Sequence, residues 1–340
     1  MSLNPDKYLK VLYQDHLPKY TFASKSKEEW SNWREDLKEA LIEALGGITV
    51  EDNTPLKAEI SEEVEYDSYL RQRVVFNIND YLKTSAYLLI PKDKRKEYPA
   101  IVACHGHGYG SKEVVGLTPA GLENQKPTCH NNFALDLVKK GFLVIAPEII
   151  GFGERRLAED NHSTPTENSC YQLATYLLMF GKTLAGMRVI DISRSIDYLL
   201  SRNDVASQRI GCMGFSGGGM VAALASALDE RIRVAVISGY TNTFKDSIMS
   251  TEHCLDNYIP GILKYAELAD IIGMIAPRPL LIQAGLTDNI FPIDGVLTAY
   301  QRIKEVYQCL DIEDKVAKDI IDKGHEVATD KPCEWFKRWL

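Results

Sequence analysis

A chain of 340 residues is long enough for one large α/β domain or two smaller ones, and its 45% hydrophobic and 25% charged residues exclude a disordered or fibrous protein. The net charge of -8, with acidic and basic residues mixed along the chain, leaves no basic face to neutralise a phosphate backbone, so nucleic acid is not an expected partner. No apolar run reaches the ~18 residues of a membrane span and the polar stretch Met1 to Lys10 does not read as a signal peptide, so the expectation is a cytoplasmic protein without a membrane partner.

Residues 1–56 read as an N-terminal helical extension. Trp30, Trp33, Leu37, Leu41 and Leu45 recur at helical spacing between Lys27 and Leu45, and Gly46-Gly47 ends the pattern. Such an amphipathic helix packs against the main domain, with a lid over a binding site as the other reading. Residues 57–340 read as the main domain. Lys57 to Tyr66, Leu70 to Ile78 and Tyr81 to Ile90 form an antiparallel opening joined by short polar links.

After Pro99 apolar strand runs alternate with helical segments. The runs are Ala100 to Cys104, Phe142 to Ala146, Ile210 to Phe215, Val234 to Ser238, Pro279 to Gln283 and Val316 to Ile321. Asn132 to Lys140, Gly186 to Leu200, Gly217 to Ala227 and Val296 to Cys309 fit helices. Repeated strand and helix units with near-continuous apolar strands imply an α/β fold: a mostly parallel central sheet of about eight strands, covered on both faces. Residues 154–185 break the rhythm and read as a loop or cap insertion.

The seven cysteines are scattered, without a CxxC pair, and read as reduced thiols. Cys104 and Cys212 lie in apolar strands as small hydrophobes.

Gly214-Phe215-Ser216-Gly217-Gly218 follows one strand and opens the next helix. A bare GxSxG arises by chance in roughly one chain in ten of this length, so its placement carries the reading. At a sharp strand-to-helix turn the serine is strained, Gly214 and Gly218 let strand and helix approach, and the helix N-terminus favours an oxyanion beside Ser216. The competing reading is a glycine-rich turn without catalysis.

A serine hydroxyl needs a base. His325 follows the last strand and lies at the sheet's carboxyl edge, whereas His16, His130, His162 and His253 sit in polar segments where solvated histidines are expected. Asp288 follows the strand Pro279 to Gln283 and is the candidate orienting acid, against the plainer role of a turn former before Phe291-Pro292. The chain order Ser216, Asp288, His325, each just after a strand, is what this fold requires of a triad.

The oxyanion hole needs the amide of Gly217 and a second one from the loop after an early central strand. His105-Gly106-His107-Gly108-Tyr109-Gly110 supplies it, through His107 or a neighbour. No carboxylate or cysteine completes a recognisable ligand set around His105 and His107, so no metal is expected. No glycine cluster has the spacing of a nucleotide site, so no cofactor is expected either. Glu154, Arg155 and Arg156 read as structural ion pairs before substrate recognition.

These residues carry a resemblance. From about Tyr66 onward the chain resembles the α/β-hydrolase superfamily, and within it dienelactone hydrolase-like and acetyl xylan esterase-like enzymes. The resemblance rests on His105 to Gly108, Ala146-Pro147-Glu148, Gly151 to Arg155, Gly186-Met187-Arg188, Asp197-Tyr198-Leu199, Gly214 to Gly218, Asn257 to Gly261, Ala276 to Leu280 and Gly324-His325. It implies a cofactor-free serine esterase or deacylase acting on a small ester, with acetylated carbohydrate as a family-level expectation. Glu148 stands where related sequences more often carry Asp, which bears on loop packing. Dienelactone hydrolases proper use cysteine, so Ser216 points to the esterase side. Peptidase or thioesterase chemistry with the same triad stays open, as does a non-catalytic binding protein on this scaffold; the sequence leaves oligomeric state undetermined.

Overall fold

The computed structural model describes residues 3–50, 53–93 and 95–340, apart from the side chains of residues 161 and 162. Met1, Ser2 and the side chain of His162 therefore lie outside the described residues.

Two helices come first, α1 (Asp6–Asp15) and α2 (Lys27–Ala44). The start of α2 is closed from both sides: Ser26 Oγ accepts the Glu29 amide at 3.2 Å, and the Glu29 carboxylate accepts the Lys25 amide at 2.7 Å. Trp33, Leu37 and Leu41 are buried in the core, and Arg34 Nε donates to the Met274 carbonyl at 2.9 Å. Helix α1 buries none of its residues. Its Leu9, Leu12 and Tyr13 line a surface groove with Leu178, Ile248, Met249 and Tyr258.

The remaining elements, in chain order, are β1 (Glu59–Glu65), β2 (Tyr69–Asn77), β3 (Lys83–Pro91), β4 (Tyr98–Cys104), α3 (Ser111–Val114), α4 (Phe133–Lys139) and β5 (Leu143–Pro147). Then follow α5 (Cys170–Met179), α6 (Leu184–Leu200), β6 (Val205–Phe215), α7 (Gly217–Leu228), β7 (Val234–Ser238) and α8 (Leu268–Gly273). The chain closes with β8 (Leu280–Gly285), α9 (Ile293–Cys309), β9 (Val316–Ile321) and α10 (Asp330–Trp339). Five helices, α1, α3, α5, α8 and α10, go beyond those expected from periodicity. Most are too short to repeat an apolar pattern. One of them, α5, lies inside residues 154–185, so that insertion is a helix with two preceding 3-10 turns and not a bare loop.

Among the described residues the sheet has nine strands in the order β1-β2-β3-β5-β4-β6-β7-β8-β9, against the expected eight or so. The pairs from β1 through β3 to β5 are antiparallel, and all others are parallel. Period-two alternation divides the core into two layers. On β4, Ala100, Val102 and Cys104 face the layer under α2 and α6 to α9, while Ile101 and Ala103 face α4 and α10. The outer strand β1 is charged and exposed, with Glu59, Glu62, Glu63 and Glu65 along a free sheet edge, as expected of an edge protected against pairing with another chain.

From β4 the chain crosses to β5 on one side, and from β6 it moves to β7, β8 and β9 on the other. Connections thus diverge between β4 and β6, opening a crevice at their carboxyl ends, the place where open α/β sheets bind ligands. Residues 105–110 and 216–217 border that crevice.

Candidate active site

Ser216 joins β6 to α7 with φ 57° and ψ -123°. The left-handed φ is strained for a serine and is held by flanking bonds. The Ser216 amide donates to Ser238 O at 3.0 Å, and the Ser216 carbonyl accepts from Met220 at 3.1 Å. Gly214 and Gly218 make this turn sterically feasible. A Cβ on Gly214 would lie 1.9 Å from Gly218 O, and one on Gly218 would lie 2.0 Å from Cys104 O.

His325 follows β9 in a half-buried position, and Nδ1 donates to Asp288 Oδ2 at 2.7 Å. Asp288 follows β8, and its other oxygen accepts the amides of Ile290 (2.8 Å) and Phe291 (3.0 Å). Burial pushes the Asp288 carboxyl up, but the His325 hydrogen bond and these two amides outweigh it and hold the group below the usual carboxylate range. A carboxylate that only accepts places the proton on Nδ1 and leaves Nε2 bare. The imidazole lies between Phe215 (ring centroids 4.7 Å) and Phe291 (5.7 Å), which fix its tilt.

Ser216, Gly217, His325 and His107 line one cavity of about 240 Å³, together with Cys129, Phe215, Glu252, His253, Cys254, Asn257, Ile290 and Phe291. The structure thus brings Ser216, Asp288 and His325 to one rim of the sheet. Among the described residues the Ser216 hydroxyl has no hydrogen-bond partner, as is common before substrate tightens such a site.

Gly217 is the first residue of α7, so its amide has no acceptor within the helix. The His107 loop packs on it: a Cβ on Gly217 would lie 2.9 Å from His107 Nδ1. Three buried groups shape that loop. The Gly106 amide donates to His130 Nε2 at 2.9 Å, and His130 Nδ1 faces Glu113 at 3.2 Å. The Ile149 amide donates to His105 Nε2 at 3.1 Å, so His105 carries its proton on Nδ1 and donates to Gly106 O at 2.9 Å. Glu148 accepts from the Ser111 hydroxyl at 2.8 Å and from the Ser111 amide.

Two histidines expected in solvent are elsewhere. His130 is buried beneath the loop, and His253 lines the cavity with Nε2 3.0 Å from the Ser247 hydroxyl. Their polar neighbours in sequence concealed both. Glu154 and Arg155 form ion pairs, with Arg73 and with buried Asp191 at 2.6 Å, whereas Arg156 binds the carbonyls of Gly153, Thr164 and Glu167.

Gln283 on β8 is a further supporting residue that the sequence reading missed. Its side chain accepts from the Ser238 hydroxyl (2.8 Å) and the Ala328 amide (3.1 Å), and donates to Asp319 (2.8 Å) and Ala328 O (2.9 Å), tying the loop that carries His325 to the sheet. A polar side chain inside the run Leu280 to Ala284 was its signal, because a buried amide requires partners.

Behind His107 the structure assembles groups that sequence distance kept apart. Cys170 from α5 and Cys254 and Asp256 from the segment before residue 260 bring their donor atoms within 4.8 Å of one another and of a His107 ring nitrogen. Arg188 on α6 pairs with Asp256 through Nη1 and donates from Nη2 to Cys170 Sγ at 3.0 Å. Sequence distance therefore concealed two cysteines and a carboxylate that gather around His107 in three dimensions. The Cys254 thiol bond and Arg188 act against burial to lower the Cys170 thiol, whereas the same thiol bond and burial raise Cys254.

Comparison with known proteins matches residues 7–317 to the Abhydrolase family. YtaP of Bacillus subtilis (strain 168), named as a hydrolase, is 28% identical over 283 residues, covering 81% of this chain and 88% of that protein. Among solved structures, a Bacteroides fragilis NCTC 9343 protein named as an acetyl xylan esterase superposes with a TM-score of 0.79 at 18% identity, over 98% of this chain and 85% of the other. A glucuronoyl esterase from Solibacter usitatus superposes with a TM-score of 0.68 at 16% identity, over 94% and 97%.

Proposed function

The chain belongs to the Abhydrolase family, and from that premise we propose that it is a serine-dependent carboxylic ester hydrolase working through an acyl-enzyme. The observation that carries this reading is the 2.7 Å bond from His325 Nδ1 to Asp288, which leaves the opposite ring nitrogen free in the cavity that Ser216 lines.

In the proposed cycle Ser216 Oγ attacks the ester carbonyl while His325 Nε2 takes its proton, and Asp288 stabilises the imidazolium. The amides of Gly217 and His107 stabilise the tetrahedral oxyanion. His325 then returns the proton to the leaving alcohol. Water, deprotonated by the same nitrogen, releases the acid and restores Ser216.

A cavity of about 240 Å³ is small beside pockets for drug-sized ligands, which favours a short acyl group. Its wall is apolar at Phe215, Ile290 and Phe291 and polar at Glu252, His253 and Asn257, which suits the ester of a polar alcohol. The esterase names of the structural neighbours suggest carbohydrate as that alcohol.

A panel of acetylated sugars, uronate methyl esters, aryl acetates, thioesters and peptides, run on wild type and Ser216→Ala, tests the proposal. Hydrolysis of the short sugar esters that vanishes in the variant is expected. Equal turnover by both proteins would sink the assignment, and a preference for peptides or thioesters would move it to those acyl transfers.

A further inference from the structure

We infer that His107, Cys170, Cys254 and Asp256 form a binding site for one borderline-soft divalent cation of the zinc type, set directly behind the loop that faces Ser216. The donor set is one imidazole nitrogen, two thiols and one carboxylate, all within 4.8 Å of each other. Donors 2.0–2.3 Å from a tetrahedral ion are roughly 3.3–3.8 Å apart, so closing on the ion asks for shifts of about an ångström or less. His107 Nε2 and Asp256 Oδ2 are already 3.5 Å apart, too long for a good hydrogen bond and close to the edge of such a tetrahedron.

A second observation concerns the imidazole. His107 Nε2 is buried without a hydrogen bond of good geometry, facing only the Cys254 thiol and Asp256 Oδ2 at 3.5 Å, although the rest of the ring opens on the cavity. A buried imidazole nitrogen is costly to leave unpaired, and a cation is the partner its surroundings can supply. Cys170 and Asp256 are buried as well.

Charge balance agrees. With both thiols protonated and no ion bound, Asp256 offsets Arg188. Binding forms two metal–sulfur bonds, one metal–nitrogen bond and one metal–oxygen bond, and releases two thiol protons to solvent. The two positive charges of the ion then meet two thiolates, so the interior is neutral before and after.

Arg188 supports the ligands from outside. Its Nε and Nη2 donate to Ile150 O at 3.3 and 3.2 Å, and its guanidinium lies 4.8 Å from the Phe152 ring centroid. It thereby orients Asp256 and Cys170 as outer partners orient metal ligands. Two sulfur donors select zinc-like ions over magnesium or calcium, which prefer oxygen. The ion would tie α5 and the segment carrying Cys254 and Asp256 to the His107 loop. The site stands on its own whether or not Ser216 is the nucleophile.

Cobalt titration of the whole protein, freed of metal by chelator and kept under a phosphine reductant, tests it. The expected result is saturation at one equivalent, with thiolate-to-cobalt charge transfer and the strong visible bands of a tetrahedral centre, abolished by one equivalent of zinc. Cys170→Ser/Cys254→Ser should lose this spectrum, while Cys309→Ser, far from the cluster, and Ser216→Ala should keep it. If circular dichroism shows the double variant unfolded, Cys254→Ser alone should lose about half of the charge-transfer intensity, one sulfur of two. No stoichiometric spectrum in wild type, a spectrum that survives loss of both thiols, or one that disappears in Ser216→Ala would each overturn the site.

Discussion

Of the three histidines that line the cavity beside Ser216, His325 and His107 each stand next to a buried aspartate, and the aspartates are used differently. Asp288 spends one oxygen on two backbone amides and aims the other at His325 from 2.7 Å. Asp256 gives one oxygen to the Asn257 amide group at 2.6 Å and the other to Arg188, so His107 stands 3.5 Å away without a bond. The same pair of residue types thus yields an oriented imidazole in one place and an open nitrogen in the other. What decides is the company of the carboxylate: backbone amides leave it free to direct an imidazole, whereas a guanidinium saturates it.

The largest effect that would break this contrast lies at the oriented histidine. If Ser216, Asp288 and His325 act as the proposed triad, His325→Gln should lower turnover of a short ester by about 10⁴-fold or more in steady-state assays, because members of such a set act as a unit. Asp288→Asn follows. It preserves shape but offers Nδ1 a donor, and turnover should fall by about 10⁴-fold with the melting curve little changed. The matching change at the other pair, Asp256→Asn, should act on stability. Leaving Arg188 buried without its counter-charge should cost about 3–5 kcal/mol in denaturant unfolding, with a far smaller loss of turnover. A reversed pattern would erase the distinction between the two aspartates.

Gln283→Leu sharpens the comparison by loosening only the scaffold of His325. It strips partners from the Ala328 amide and the Ser238 hydroxyl, and should cost about 1–3 kcal/mol with a loss in kcat rather than KM. The smallest effect concerns acid. Both carboxyls are held below the ordinary range, Asp288 against its burial by His325 and Asp256 against its burial by Arg188. Each contributes stability that is present above the unfolded carboxyl value of about 3.9 and lost as pH falls through the lowered folded value. Unfolding midpoints measured downward from pH 5 should therefore decline below pH ~4, less steeply in either Asn variant.

The strands β7 and β9 are legible in the sequence to the residue, β7 as an apolar run that closes on Ser238 before Gly239 and β9 as a run of Val, Ala and Ile around Lys318 and Asp319 that stops at the turn Asp322-Lys323-Gly324. Ser216, Asp288 and His325 are legible as candidates for a related reason: each stands just after such a run, so local pattern alone places it at the carboxyl edge. His130 and Asp256 offer no such pattern. Their partners, Gly106 and Arg188, lie 24 and 68 positions away, and only the folded sheet brings them together. Cys170 was hidden twice, by distance and by a segment that looked like a loop. Helix α10 escaped because four buried residues, Pro332, Cys333, Trp335 and Phe336, are too few to declare a period.

The pairing of Cys104 with Gly214 across β4 and β6 has a bearing on accuracy at the site. One residue further along β4 begins the loop that carries His107, and two residues beyond Gly214 stands Ser216. Sliding one strand by a single residue would carry the loop about 3.3 Å past the hydroxyl, several times the ~0.5 Å tolerance that the proposed oxyanion hole would allow. It would also turn Ile101 and Ala103 into the wrong layer, which the packed interior forbids. The hydrophobic alternation of two strands therefore serves as the ruler for a distance between polar groups that neither strand contains.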